Sequence, residues 1–237
     1  MEAIIRTLPF FINGALETLK ITVIAVGIGS FLGLIAGLGR LSRNRLIRAL
    51  ATCYVDFVRG TPLLVQIFIV YFGFPQVIQQ GKTFLQTQFG LGPFSETSHI
   101  PAFIAAIVAC SINSGAYVAE IFRAGIQSIE KGQREAALSL GMTPRQTTLY
   151  VILPQAFRRI VPPLGNEFIA MLKDTSLLFS IGIVELTRQG QLLNAAIFQP
   201  FPIYLTVALF YLIMTLSISR LVDFTERRLG VRGHHQS

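Results

Sequence analysis

The chain has 237 residues, of which 52% are hydrophobic and 14% charged, and its mean hydropathy is +0.59. That balance excludes a single water-soluble domain and puts the chain in a bilayer. The formal charge of +8 does not argue for nucleic acid, because the basic residues fall in patches between apolar segments, as membrane topology requires.

Met1 to Lys20 starts nearly neutral and lacks a small-x-small cleavage site, so it is not read as a cleavable signal peptide. Ile4, Leu8, Phe11, Ile12, Ala15, Leu16 and Leu19 recur at helical spacing, which predicts an amphipathic helix at the interface. Ile21 to Leu38 is the first span. Its Gly29, Gly33 and Gly37 repeat every four residues and let another helix approach closely. The densest basic patch, residues 40–48, places the next loop in the cytoplasm and the N-terminus outside. Leu46 to Val58 predicts an elbow helix at the inner surface, with Asp56 and Arg59 spaced for an i, i+3 pair. Gly60-Thr61-Pro62 breaks it, with Thr61 expected to cap and Pro62 to take the first position of a second span reaching Ile78. The loop from Gln79 to Ile100, with Lys82 as its one lysine or arginine, belongs outside.

Pro101 opens the third span, which returns to the inside at Arg123. Residues 127–161 form a polar island carrying Lys131, Arg134, Arg145, Arg158 and Arg159, again on the positive side. Within it, Glu135 to Leu140 is a strong helix former, Gly141 ends that helix, and Thr143-Pro144 opens another with a cap and an N1 proline. The fourth span starts near Pro162-Pro163 and reaches Val184, Glu185 to Pro200 stays outside, and the fifth span covers Pro202 to Leu221. Arg227, Arg228 and Arg232 mark a cytoplasmic tail. The expected fold is all-α and integral to the membrane, one transmembrane domain over residues 1–237 with five spans, N-terminus out and C-terminus in.

With only two cysteines, Cys53 and Cys110, far apart in sequence and in apolar surroundings, a disulfide framework and a metal site both fail on count and spacing. His99, His234 and His235 supply no His-Glu-x-x-His or Ser-His arrangement, which counts against an intramembrane protease. No Gly-x-x-x-x-Gly-Lys-Ser/Thr loop is present, so a nucleotide-driven motor would have to be another chain.

Ionisable residues inside spans are costly, which makes them functional candidates. Counting ~1.5 Å per residue, Asn113 from the outer side and Asp174 from the inner side both reach a depth of ~18 Å, near the middle of the hydrocarbon. Asn113, Tyr117 and Glu120 share one face of the third span, as Glu167 and Asp174 share one face of the fourth. Such strips suit a pathway for ammonium and carboxylate groups. Interhelical glue is the alternative for Glu167 and Asp174, core packing for Tyr117 and an ion pair with Arg123 for Glu120. Lys173 either neutralises Asp174 or meets a substrate carboxylate.

Glu135-Ala136-Ala137, Gly141 and Ile152-Leu153-Pro154-Gln155-Ala156 together resemble the cytoplasmic coupling loop of permeases of ATP-binding-cassette importers. Arg59-Gly60-Thr61-Pro62-Leu63-Leu64-Val65-Gln66, residues 113–126, Gly165-Asn166-Glu167 and Lys173-Asp174-Thr175-Ser176 narrow the resemblance to polar-amino-acid importers of the histidine, arginine and glutamine type. The resemblance implies two ATPase subunits that bind ATP and Mg, a second permease copy as homodimer or paralogous heterodimer, and an external amino-acid-binding protein. It implies a prokaryotic inner membrane, a transport subunit rather than an enzyme, and no cofactor in this chain. Carried onto this sequence, Asn113, Tyr117, Glu167, Asp174 and Ser176 become substrate-binding candidates, and Glu135, Ala136, Ala137, Gly141 and Pro154 become ATPase-coupling candidates. A stand-alone secondary transporter or channel is the alternative, although no convincing inverted repeat is visible.

Overall fold

The structure, a computed structural model, describes residues 2–92 and 99–229, with side chains over 7–92 and 99–228. The described residues are helical with connecting turns and contain no strand. Helix α1 (Glu2–Arg40) does not divide into an interfacial helix and a span, as its sequence suggested. Beyond Pro9 no cap or proline interrupts it, and 39 residues at ~1.5 Å each reach well past the ~30 Å hydrocarbon core. Its N-terminal half is held by tertiary packing: Phe11 and Thr18 are fully buried, and the Thr18 hydroxyl accepts from the Leu186 backbone N–H at 3.2 Å.

Asn44 caps α2 (Arg45–Arg59) by accepting from the backbone N–H groups of Leu46 and Ile47. The Gly60-Thr61-Pro62 break is present, but its chemistry differs from expectation. Thr61 does not cap the helix that follows; its hydroxyl donates back to the Phe57 carbonyl at 2.9 Å, and α3 (Leu63–Phe68) starts after Pro62 with no side-chain cap. A π-helical stretch, Ile69–Gly73, joins α3 to α4 (Phe74–Phe89). Helix therefore continues eleven residues past the expected end at Ile78, to a left-handed Gly90 with φ 64°. Part of the outer loop, residues 93–98, lies outside the described residues.

Pro101 precedes α5 (Ala102–Gln127), the most buried helix, which packs along α1. The Gly29-Gly33-Gly37 ladder makes that approach possible. A Cβ at Gly29 would meet Ser114, one at Gly33 would come within 2.6 Å of Val118, and one at Gly37 would meet Phe122. These contacts advance together along both helices, so α1 and α5 run parallel. In the polar island, α6 (Lys131–Ser139) and the short α7 (Pro144–Gln146) flank a turn at Gly141, and a π-helical stretch (Thr147–Ile152) leads into α8 (Leu153–Asp174). Pro162 and Pro163 lie inside α8 and do not open it. A 3-10 stretch (Thr175–Ile181), α9 (Leu186–Ile197) and α10 (Pro200–Leu229) complete the described chain. Arg232, His234 and His235 lie outside the described residues.

Four helices among the described residues are long and apolar enough to cross a membrane: Thr7–Arg40, Leu63–Phe89, Ala102–Gln127 and Pro200–Arg228. The segment read as the fourth of five spans is absent from that set. Arg158, Arg159, Glu167, Lys173 and Asp174 dilute α8, which instead packs against α1, α5 and α10.

Candidate functional site

Helices α5 and α8 run antiparallel and form the polar wall. Gly125 leaves room for Ile160 at the C-terminal end of α5, where an added Cβ would come within 2.3 Å of that side chain. Further out, the Ser114 hydroxyl faces the Glu167 carboxylate without a hydrogen bond of full geometry. Asp174 lies close enough for its charge to be felt by Glu167 and by the Cys110 thiol.

Asn113 is 4% exposed, and its amide donates to the Gln66 side-chain oxygen at 3.0 Å. Gln66 in turn donates to the Val58 carbonyl at 2.7 Å, the Thr61 carbonyl at 3.0 Å and the Thr61 hydroxyl at 2.9 Å. The middle of α5 is thereby tied to the turn between α2 and α3. The Tyr54 hydroxyl adds a second tie by donating to the Ile112 carbonyl at 2.7 Å.

Glu120 is the centre of an ion cluster. Its Oε2 accepts from Arg40 at 2.7 Å and from Arg123 Nε at 3.0 Å, while Oε1 accepts from Arg123 Nη2. The i, i+3 pair with Arg123 therefore forms. The i, i+3 pair of Asp56 with Arg59 does not, because Asp56 instead lies 3.8 Å from Arg40. Arg59 reaches Glu120 only at 4.0 Å and rests over the Tyr117 ring, 5.4 Å from its centroid.

A cavity of about 670 Å³ opens beside this cluster, lined among others by Arg59, Tyr117, Glu120, Arg159, Asn166 and Glu167. Its size suits a small polar molecule. Of the five substrate-binding candidates, Tyr117 and Glu167 line it. Asn113, Asp174 and Ser176 do not. Ser176 lies in the 3-10 turn just beyond Asp174. Arg59 and Arg159 escaped sequence reading because one was matched to a near neighbour and the other counted only as a topology marker.

Glu185 was also missed, being assigned to an outer loop. It is fully buried and caps α9, accepting from the backbone N–H groups of Thr187 and Arg188 at 2.8 Å each and from the Tyr211 hydroxyl at 3.0 Å. Its capping of the helix that follows was a local signal, but its Tyr211 partner lies 26 residues away and could not be read from the sequence.

In the polar island of residues 127–161, Glu135, Ala136 and Ala137 lie in α6, and Ala137 is buried. Gly141 has φ +83°, and Thr143 forms a reciprocal capping box with Gln146 ahead of Pro144. Leu140 at the turn is 84% exposed. Pro154 occupies the first turn of α8. Among the described residues, no group of three or more His, Cys, Asp or Glu side chains could hold a metal ion.

Long apolar helices around a charged cavity, with an exposed helix–turn–helix at one end, define a membrane transport subunit. The chain belongs to the family of binding-protein-dependent transport system inner membrane components, whose profile matches residues 29–231. The glutamine transport system permease protein of Escherichia coli (strain K12) is 42% identical over 230 residues, covering 97% of each chain. The L-cystine transport system permease protein of Bacillus subtilis (strain 168) is 40% identical over 222 residues, 93% of this chain and 87% of that one. In the crystal structure of an amino acid ABC transporter with histidines, one chain superposes with a TM-score of 0.82 at 43% identity, covering 95% of this chain and 96% of that one. The MetNI methionine ABC transporter in an inward-facing conformation shares the fold, with a TM-score of 0.70 at 21% identity, covering 94% of this chain and 97% of that one.

Proposed function

We propose that this chain is the permease subunit of an ATP-driven importer and moves a polar amino acid delivered by an external binding protein. The observation that carries the proposal is the cavity with Glu167 on one wall and Arg59 on another, in a chain of the binding-protein-dependent permease family. A zwitterion needs both signs of charge along its path, and hydrocarbon offers neither. Tyr117 and Glu167 contact the cargo in the cavity. Asn113, Asp174 and Ser176 belong to the outer part of the same path.

Residues 1–237 act as one transmembrane domain with five spans, α8 and the 3-10 stretch after it completing the set, N-terminus out and C-terminus in. Two ATPase subunits bind ATP and Mg and dock on residues 127–161, through Glu135, Ala136, Ala137, Gly141 and Pro154. The exposed Leu140 and the left-handed Gly141 support that docking role. A second permease copy, identical or paralogous, completes the complex in a prokaryotic inner membrane.

Co-expression with candidate ATPase and binding-protein partners, followed by reconstitution in vesicles, tests the reading. Uptake of an L-amino acid should require ATP, the ATPase and the binding protein together. Gradient-driven flux through this chain alone would instead establish a stand-alone carrier or channel.

A further inference from the structure

The ion cluster at the inner end of the cavity is unevenly satisfied. Both oxygens of Glu120 are taken by Arg40 and Arg123. Arg40 is further engaged by Asp56, and Arg123 donates to the Gln127 side chain. Arg159 on the opposite wall donates to the Ser128 carbonyl. Arg59 differs from all of these. Its nearest carboxylate oxygen is 4.0 Å away, beyond hydrogen-bond range, its side chain is 40% exposed against 16% for Arg40, and it lines the cavity. The Tyr117 ring holds the guanidinium plane by cation–π attraction without using its N–H donors.

We infer that Arg59 is the carboxylate-binding residue of the cavity, receiving the α-carboxylate of an amino acid whose ammonium group faces Glu167. This rests on the amino-acid permease reading and adds a specificity-determining residue to it. A guanidinium presents a planar fork that matches a carboxylate with two parallel hydrogen bonds. Arg59 and Glu167 line the same cavity of about 670 Å³, a volume that suits a molecule of amino-acid size. The three arginines around Glu120 carry one more charge than Glu120 and Asp56 together neutralise, so an incoming anion completes the cluster.

The test uses the purified permease–ATPase complex without the binding protein, which would otherwise impose its own carboxylate requirement. Phenylglyoxal modifies accessible arginines, and peptide mass spectrometry reads each site separately. L-Glutamine, L-arginine and L-histidine are compared with their C-terminal carboxamides. At least one free acid should slow Arg59 modification by fivefold or more, with its carboxamide giving less than half that protection. In parallel, Arg59→Gln should erase the preference for the acid over its carboxamide in direct binding, and Arg59→Lys should keep part of it.

Equal protection by acids and carboxamides, or protection by none of the three, overturns the assignment. The wild-type labelling decides the matter even if Arg59→Gln fails to assemble. Failure of ATP-driven amino-acid uptake in the intact complex would instead remove the permease reading on which the inference stands.

Discussion

The Asn113 amide donates to the Gln66 side-chain oxygen at 3.0 Å, joining α5 to α3 where both are buried. Gln66 spends its own amide on the Val58 and Thr61 carbonyls, so one side chain holds the helix break at Gly60-Thr61-Pro62 against the middle of the bundle. Replacing Gln66 with Leu removes these bonds and leaves the Asn113 donor buried without its partner, at a cost of ~1–3 kcal/mol. The expected result is a lower unfolding temperature in detergent. Asn113→Ala combined with Gln66→Leu should cost less than the two single changes added together, and strict additivity would show that the pair is not coupled.

The glycine ladder gives a steric prediction with an internal control. A Cβ at Gly33 would stand 2.6 Å from Val118 and 2.8 Å from the Gly115 carbonyl oxygen, whereas one at Gly27 would meet nothing within 4 Å. Gly33→Leu should abolish monodisperse protein in size-exclusion chromatography, since overpacking of this kind costs ~1–3 kcal/mol or more. Gly27→Ala should be tolerated. Similar yields for the two variants would contradict close packing of α1 on α5.

At the turn between α6 and α7, Gly141 has φ +83° and open space around its missing Cβ, so substitution strains the backbone alone. Gly141→Val should cost ~1–2 kcal/mol locally, leave membrane insertion intact and weaken ATPase association. Gly141→Asn should be milder, because Asn enters the left-handed region more readily. Co-purification of the ATPase and stimulated ATP hydrolysis measure both. Unchanged association in the Val variant would remove Gly141 from the docking surface.

Glu167→Gln and Asp174→Asn separate transport from glue. If the carboxylates receive the cargo ammonium, uptake per folded complex should fall tenfold or more, about 1.4 kcal/mol, while the unfolding temperature holds. A lower unfolding temperature with normal uptake assigns them to helix packing.

Orientation is open to chemical labelling. In a Cys53→Ser background, which removes the exposed native thiol while Cys110 stays buried, a cysteine at Ser42 should react only from the cytoplasmic side. Labelling of intact cells by a membrane-impermeant reagent would invert the topology.

Features that depend on local physics were legible in the sequence. The apolar runs announced membrane helices, the four-residue glycine repeat announced a close helix contact, and Gly141 with Thr143-Pro144 announced a turn. Each depends on helical period, backbone freedom or a cap within a few residues. Of the residues that line the cavity, Tyr117 and Glu167 could be read as polar positions within apolar helices.

What required tertiary structure was the choice among partners. Asp56 and Arg59 are spaced to pair with each other, yet Arg40 of α1 takes Asp56 and Arg59 turns to Tyr117 and the cavity. Glu185, placed in an outer loop on hydropathy, is buried because Tyr211 and two backbone donors reach it. The sequence identifies which charges exist and which helix face they share. Which of them meet depends on the rotation and register of one helix against another, fixed here by the small residues that let α1, α5 and α8 close on each other.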